Sequence, residues 1–204
     1  MRQFKINWLV CALFSGVLII ACAGTKLTQT WVDDAHRGKP VSDILVIAVT
    51  YKEEVRHSFE DKFVAQLKAL GIEAVSSAEV IPMPPDLKLE KEQILKVVNK
   101  FENDAVIITH MAGVEEKETY SPPSQNDTGF YGYYDGLILS KDPGFYKTRT
   151  FVRLVTNLYD VKTEKLIWSG QSETKDPRSI KQTIDDVINV VIKDMQKKGL
   201  LLPK

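Results

Sequence analysis

Along residues 44–111, continuous apolar runs typical of buried strands alternate with apolar stripes typical of helices. This alternation restricts the fold more than any other feature of the sequence. Residues 44–50 form a continuous run rich in β-branched side chains, which is typical of a strand buried on both faces. Over residues 53–70, apolar side chains recur every three or four positions, as on one face of an amphipathic helix. This stripe consists of Val55, Phe59, Phe63, Leu67 and Leu70. With a second short strand at 72–75, the order predicts a parallel βαβ unit.

The rest of the chain continues the pattern and then changes it. An apolar stripe predicts a second helix over residues 89–101, and an apolar run predicts a strand over 105–111 that continues toward Tyr120. Residues 150–161 and 165–172 then read as two strands joined by a tight connection, which favours an antiparallel hairpin.

A strongly amphipathic helix is predicted between residues 180 and 195. Asp176 and Pro177 precede it and are typical of an N-cap and a first-turn proline. The complete order is β-α-β-α-β-β-β-α. We therefore predict one α/β domain, a sandwich in which a mixed β-sheet, parallel in its first half and antiparallel in its second, is covered by three helices.

The N-terminus has the composition of a targeting segment. Arg2 and Lys5 precede residues 7–21, which carry no charge and are mostly apolar. As a helix, this stretch would reach about 22 Å, short of a hydrocarbon core of about 30 Å. It therefore favours a secretory signal peptide over a membrane span.

The end of that segment, Ile19-Ile20-Ala21-Cys22, resembles the bacterial lipobox, in which a small residue precedes a cysteine that receives diacylglycerol. This resemblance implies a signal peptide at residues 1–21, cleaved between Ala21 and Cys22. It also implies that Cys22 is lipidated. Residues 23–42 are polar and contain Gly24, Gly38 and Pro40, which predicts a lipidated cysteine and tether at 22–42, followed by a periplasmic domain at 43–204. The alternative is an ordinary signal peptide, or an uncleaved anchor, that ends in cysteine by chance.

Localisation follows from the same motif. Ala23 stands where some lipoproteins carry the aspartate that retains them at the inner membrane. We therefore expect the periplasmic face of a bacterial membrane, with the outer membrane favoured and the acyl chains providing stable anchoring.

Charge and cysteine content exclude several classes of function. The chain has 27 basic and 27 acidic residues, and loss of Arg2 and Lys5 leaves a slight acidic excess, so no nucleic-acid partner is predicted. Its two cysteines are Cys11, inside the removed segment, and Cys22. The mature domain would therefore have no thiol for a disulfide, a nucleophile or a zinc site.

The element order, the opening strand and a hairpin from Asn157 to Gly170 resemble a broad group of envelope lipoproteins. The hairpin contains Asn157-Leu158-Tyr159-Asp160-Val161 and Leu166-Ile167-Trp168-Ser169-Gly170. The group includes the curli-secretion lipoprotein, the lipoprotein activator of penicillin-binding proteins and the N-terminal domain of the Tol-system propeller protein. The resemblance covers residues 42–198 at the level of architecture. It implies an α/β sandwich that acts by protein contacts, and it transfers no functional residue.

No motif indicates catalysis. Glu53 and His57 are four residues apart and can share a helix face, as a metal-ligand or acid/base pair or as part of a solvated polar surface. His110 lies in an apolar strand, where a hydrogen-bonded or strand-end histidine is expected. No Gly-x-Ser-x-Gly motif and no phosphate-binding loop occurs. We predict no catalytic residue, no metal and no cofactor.

Residues 120–149 form an insertion rich in glycine, proline and aromatic side chains. Seven of the chain's eighteen aromatic residues lie between positions 120 and 146: Tyr120, Phe130, Tyr131, Tyr133, Tyr134, Phe145 and Tyr146. Exposed tyrosines suit a protein interface or a glycan platform. The alternative is that these rings pack on their own sheet and close a long hairpin.

The expected function is that of a membrane-anchored, non-catalytic envelope lipoprotein that acts as a protein-interaction or assembly accessory module. Its expected partners are the membrane, through the lipid, and an envelope protein. One alternative is a glycan, peptidoglycan or small-ligand binder that uses the segment 120–146. A second alternative is a hydrolase with an unrecognised site.

Overall fold

A computed structural model describes residues 24–121, 130–132, 134 and 145–201. The strands are β1 (Thr25–Val32), β2 (Asp43–Val49), β3 (Glu73–Ser76), β4 (Ala105–Ser121), β5 (Phe145–Asp160) and β6 (Leu166–Lys175). The helices are α1 (Glu53–Ala69), α2 (Lys91–Phe101) and α3 (Ile180–Lys197), with a 3₁₀ turn at Ser77–Glu79. Residues 130–132 and 134 are also helical.

The described strands form one six-stranded mixed sheet in the order β1-β6-β5-β4-β2-β3. β2 pairs in parallel with both β3 and β4, whereas β4, β5, β6 and β1 pair antiparallel in succession. The predicted α/β sandwich is therefore confirmed, with parallel strands early in the chain and an antiparallel hairpin later.

The sheet is buried on both faces where β2 lies. Helices α1 and α3 pack on one face through Phe63, Leu67, Ile188 and Val191. Helix α2 packs on the other face, where Val97 and Val98 meet Leu45 and Ile47 of β2. The continuous apolar run of β2 follows from this arrangement, because its side chains alternate between two cores. Each such buried side chain stabilises the fold by about 1.5–3 kcal/mol.

A buried ion pair fixes α1 to the sheet. Arg56 and Glu60 are 1 % and 0 % exposed, and the Arg56 Nε donates to Glu60 Oε1 at 3.2 Å. The Glu60 carboxylate also accepts the backbone N–H groups of Ala48 at 2.8 Å and Ala78 at 2.7 Å, and the hydroxyls of Ser76 and Ser77. The Arg56 guanidinium donates to the Ile81 carbonyl at 2.9 Å. Both charges are thus surrounded by hydrogen-bond partners, as burial requires.

The hairpin β5–β6 contains a close approach that requires glycine. The ring of Trp168 is fully buried and donates its Nε1–H to Asp194 of α3 at 3.0 Å. The ring covers Gly170, where an added Cβ would lie 2.3 Å from the ring. The Trp-Ser-Gly sequence is therefore explained by packing.

The prediction of a tether at 22–42 is wrong from residue 25 onward. Thr25–Val32 forms the edge strand β1, paired with β6, and the Thr25 and Thr174 hydroxyls are 2.8 Å apart. Residues 33–42 then follow the end of α3, where Gly38 and Val41 donate their N–H groups to the carbonyls of Lys198 and Leu200. Polar side chains on β1 face solvent, which made an edge strand resemble a linker.

Two other boundaries also differ from the prediction. Ser179, and not Asp176, caps α3, because its hydroxyl accepts the N–H of Gln182 at 3.1 Å. The insertion predicted at 120–149 is shorter than expected: β4 runs to Ser121 and β5 begins at Phe145.

Within the described ranges, no helix is both long and apolar enough to cross a membrane.

Replacing Glu60 with glutamine is expected to destabilise the fold by about 3–5 kcal/mol, because it removes the buried carboxylate that neutralises Arg56 and leaves that charge only its contact with the exposed Glu53. The side-chain NH₂ of the glutamine would also face a backbone N–H, that of Ala48 or of Ala78, which donates to the carboxylate in the unaltered protein. The free energy of unfolding, measured by urea titration of the purified protein, checks this.

The matched control is Glu53→Gln. Glu53 also pairs with Arg56, at 3.5 Å, but its side chain is 53 % exposed. An exposed pair contributes at most about 1 kcal/mol. Equal losses from both variants would contradict the role given to the buried pair.

Candidate functional site

The ends of β4 and β5 project beyond the sheet as a two-stranded ribbon, which we call the arm (residues 116–121 and 145–150). β2 pairs with β4 only as far as His110, and β6 pairs with β5 only from Phe151 onward. The arm strands pair with each other out to Ser121 and Phe145. At about 3.4 Å per residue, the arm is about 20 Å long. Two strands alone are marginally stable in water, so this ribbon gains from any surface that covers it.

Aromatic rings are exposed at the tip of the arm. Tyr120 and Tyr146 are cross-strand partners whose ring centroids lie 5.5 Å apart, and Tyr146 is 72 % exposed. Phe145 is also exposed. In the connection beyond the tip, the exposed rings of Phe130 and Tyr131 lie 4.1 Å apart, centroid to centroid.

Of the remaining predicted site residues, one is described by the structure and three are not. Tyr134 is exposed in the same connection. Tyr133, Ala21 and Cys22 lie outside the described residues, so their predicted roles stay predictions. The exposure of the other rings satisfies what a binding role requires, and the binding role itself also stays a prediction.

Asp176 joins the base of the arm to the end of β6. Its carboxylate pairs with the guanidinium of Arg149 and accepts the backbone N–H of Thr150 at 3.1 Å. Its own N–H donates to the Thr150 carbonyl at 2.7 Å, with a left-handed φ of 47°. The hydrogen bond from Arg149 lowers the pKa of Asp176 below its ordinary value. The residue expected to cap a helix therefore holds the arm in place.

Arg153 strengthens the sheet just below the arm. Its guanidinium lies between Glu115 of β4, at 2.7 Å, and Glu173 of β6, at 3.0 Å. Lys117 also contacts Glu115 at 3.1 Å, and hydrogen bonds from Lys117 and Arg153 lower the pKa of the Glu115 carboxyl. These charges cross-link three neighbouring strands at the point where the arm leaves the sheet.

An apolar groove lies between the base of the arm and the first turns of α1 and α3. It comprises two adjoining depressions of about 560 and 510 Å³. The shared lining is Thr50, Tyr51, Val55, Phe59, Met111 and Leu154, and Val114, Val152 and Ile180 extend it. The groove lies beyond the carboxyl end of β2, where its parallel pairing with β4 ends at His110 and the chain order reverses across the sheet. Ligands of open α/β sheets bind at such a position.

The groove offers apolar contact and few free polar groups. Lys52 and His110 contribute polar groups to its lining. Ser179 and Thr183 also line it, but the Ser179 hydroxyl caps α3, and the Thr183 hydroxyl donates to the Ser179 carbonyl at 2.9 Å. Exposed apolar side chains form its rim: Tyr51, Met111, Val114 and Ile180. Its chemistry suits burial of apolar groups from a binding partner.

The polar candidates from the sequence do not assemble into a reactive centre in the described part of the chain. Glu53 contacts Arg56, and His57 is exposed on α1. His110 is an exposed residue in β4, at the point where the parallel pairing with β2 ends. Among residues 24–121, 130–132, 134 and 145–201, no three His, Cys, Asp or Glu side chains lie close enough to hold a metal ion.

No sequence pattern marks the residues of the groove as one site. Tyr51, Met111 and Ile180 are far apart along the chain, and only the sheet order brings them together. A partial signal existed in β4, where apolar Met111 and Val114 continue a strand beyond its buried part.

Comparison with known proteins finds similar solved structures but no family. It matches no model of a protein family and no curated protein. Among solved structures, it is similar to the PelC dodecamer from Paraburkholderia phytofirmans, with 13 % identity, a TM-score of 0.46 and coverage of 86 % of this chain and 98 % of that one. It is also similar to the lipoprotein GNA1162 from Neisseria meningitidis, with 17 % identity, a TM-score of 0.39 and coverage of 76 % and 99 %. No functional role passes from either protein to this chain.

Removing the arm-base ion pair by Arg149→Gln is expected to raise the pKa of Asp176 toward its ordinary value of 3.8. In the unaltered protein, the carboxylate stabilises the fold above that value, and the contribution is lost as pH falls through the lower folded pKa. NMR titration of the Asp176 carboxyl carbon measures the change.

Arg153→Gln is the matched control, because it removes a neighbouring guanidinium that contacts Glu115 and Glu173 instead of Asp176. It should move the pKa of Glu115 and leave Asp176 unchanged. If Arg149→Gln leaves the pKa of Asp176 unchanged, the ion pair between Arg149 and Asp176 does not hold the arm in place.

Proposed function

We propose that this chain is a lipid-anchored protein of the bacterial envelope that has no catalytic activity and binds another protein through the apolar groove. The anchor is the acylated Cys22 that the lipobox-like sequence predicts. The outer membrane is the favoured location. The lipid confines the protein to a surface and so raises its effective concentration near any partner there.

The observation that carries the proposal is the exposed apolar rim around a concave apolar surface. Tyr51 is 76 % exposed and Met111 is 61 % exposed. Large apolar patches on a folded surface typically mark an interaction site, because leaving them in water is unfavourable. An aromatic or methionine side chain at such a rim can supply much of a binding energy when a partner covers it.

A protein partner suits this groove better than a substrate. The groove is open along its length, and its hydroxyls at Ser179 and Thr183 are engaged in the first turn of α3. It is carried by a rigid base, since Phe59 and Leu154 extend from it into the core of the domain. Rigid concave surfaces of this kind accept apolar side chains of another chain at low entropic cost.

A photo-crosslinking amino acid at Met111 is expected to give one discrete adduct with another envelope protein in living cells. The reason is that Met111 is exposed and lines both depressions of the groove. Immunoblotting of irradiated cells, followed by mass spectrometry of the adduct, makes the measurement. The same probe at Lys162, which is exposed at the opposite end of the sheet, is the control and should give no such adduct.

The anchor is tested in the same cells. Cys22→Ser should abolish palmitate incorporation, leave the precursor unprocessed and abolish the adduct at Met111. Absence of an adduct from acylated protein would contradict the groove as a protein site. If the protein with Cys22 intact is processed but carries no palmitate, the predicted anchor is wrong.

A further inference from the structure

The folded domain begins almost immediately after the predicted anchor. The Gly24 carbonyl accepts the N–H of Lys175 at 2.9 Å, and β1 begins at the next residue. Cys22 is only two residues earlier in the chain. Two residues span at most about 7 Å, so the anchor and the end of the sheet are held together.

The arm projects from that same end. Thr25 pairs with Thr174, Thr174 with Val152, and Val152 with Val114, so these residues form one row across the sheet. β1 therefore starts level with the base of the arm. The arm extends about 20 Å beyond this row, in the direction from which the chain enters β1. Because the tip extends farther than two residues of chain can reach, the arm must lie obliquely to the membrane for its tip and the anchor to meet the same surface.

Exposed apolar side chains concentrate at this end of the molecule. Among the described residues, eleven large apolar side chains are exposed, and ten of them belong to the arm, its connection or the groove at its base. Only Trp31 lies elsewhere, on β1.

The arm divides into a charged stem and an aromatic tip. The stem carries Glu116, Lys117, Glu118, Lys147 and Arg149. The tip carries Tyr120, Phe145 and Tyr146. Consecutive residues of a strand point to opposite faces, so Phe145 and Tyr146 put rings on both faces of the ribbon. Rings on both faces suit a medium that surrounds the tip, as a layer of lipid headgroups does.

We propose that the aromatic tip of the arm lies in the headgroup layer of the membrane that holds the acyl chains of Cys22. This inference rests on the proposed lipid anchor. Tyrosine rings favour the membrane–water interface because they bury an apolar body and keep a polar hydroxyl wet. The charged stem stays in water, since burial of its side chains in hydrocarbon is costly. The groove then opens beside the membrane surface, within reach of partners that are bound there.

A different orientation would lay the free edge of β1 on the membrane and lift the arm away from it. That edge presents Lys26, Thr28 and Gln29, with Trp31 as its single exposed large apolar side chain. The distribution of apolar surface therefore favours contact through the arm.

The experiment uses full-length acylated protein in vesicles of phosphatidylethanolamine and phosphatidylglycerol that contain nitroxide-labelled lipid. Because the mature chain has no free thiol, single cysteines at Tyr146, Lys162 and Gln29 can each carry an environment-sensitive fluorophore. All three side chains are exposed, so the fold should tolerate each change. The fluorophore at Tyr146→Cys should lose most of its emission to the nitroxide, whereas those at Lys162→Cys and Gln29→Cys should keep theirs.

The outcomes separate the two proposals. Mass spectrometry first establishes that Cys22 is acylated, and failure at this step overturns the anchor itself. With Cys22 acylated, an unquenched probe at position 146 overturns the arm's contact with lipid and leaves the anchor and the protein-binding groove in place. Quenching at position 29 instead of 146 shows the edge-down orientation and also overturns the inference.

Discussion

Antiparallel pairing of β1 with β6 determines which end of the sheet lies nearest the predicted anchor. The pairing begins at Thr25, opposite Thr174, and leaves only Ala23 and Gly24 between the predicted lipid site and β1. Without it, the first twenty residues of the mature protein would form a flexible tether and the domain would have no preferred orientation. With it, the arm and the groove both lie at the end of the sheet nearest the predicted lipid site.

The rest of the domain supplies a rigid support for that end. Apolar layers on both faces of β2, together with the buried pair of Arg56 and Glu60, fix α1 against the sheet. The carboxyl ends of the parallel strands then leave a groove that α1 and α3 flank but do not fill. Rigidity matters here because a pre-formed apolar surface binds at a smaller cost in conformational entropy.

The sequence predicted the elements whose periodicity is set by burial, such as the run 44–50 and the stripe of α1. It failed where long-range pairing overrides local preference. β1 is polar on its solvent side and looked like a linker, and Asp176 had the sequence of a helix cap but pairs with Arg149 of a distant strand. Composition located the aromatic rings of the arm but left open whether they are exposed or packed on their own sheet. The groove was not, because its residues meet only through the sheet order.

One disulfide measurement tests the orientation most directly. Thr25→Cys with Thr174→Cys places two thiols on directly opposite residues, a geometry that permits a disulfide in the oxidising periplasm. We expect this bond to form in the acylated protein. We expect none between Thr25→Cys and Ser169→Cys, which are about 17 Å apart along the sheet. If the first pair stays reduced, or both pairs oxidise equally, residues 25–32 are a mobile tether and the anchor does not orient the arm.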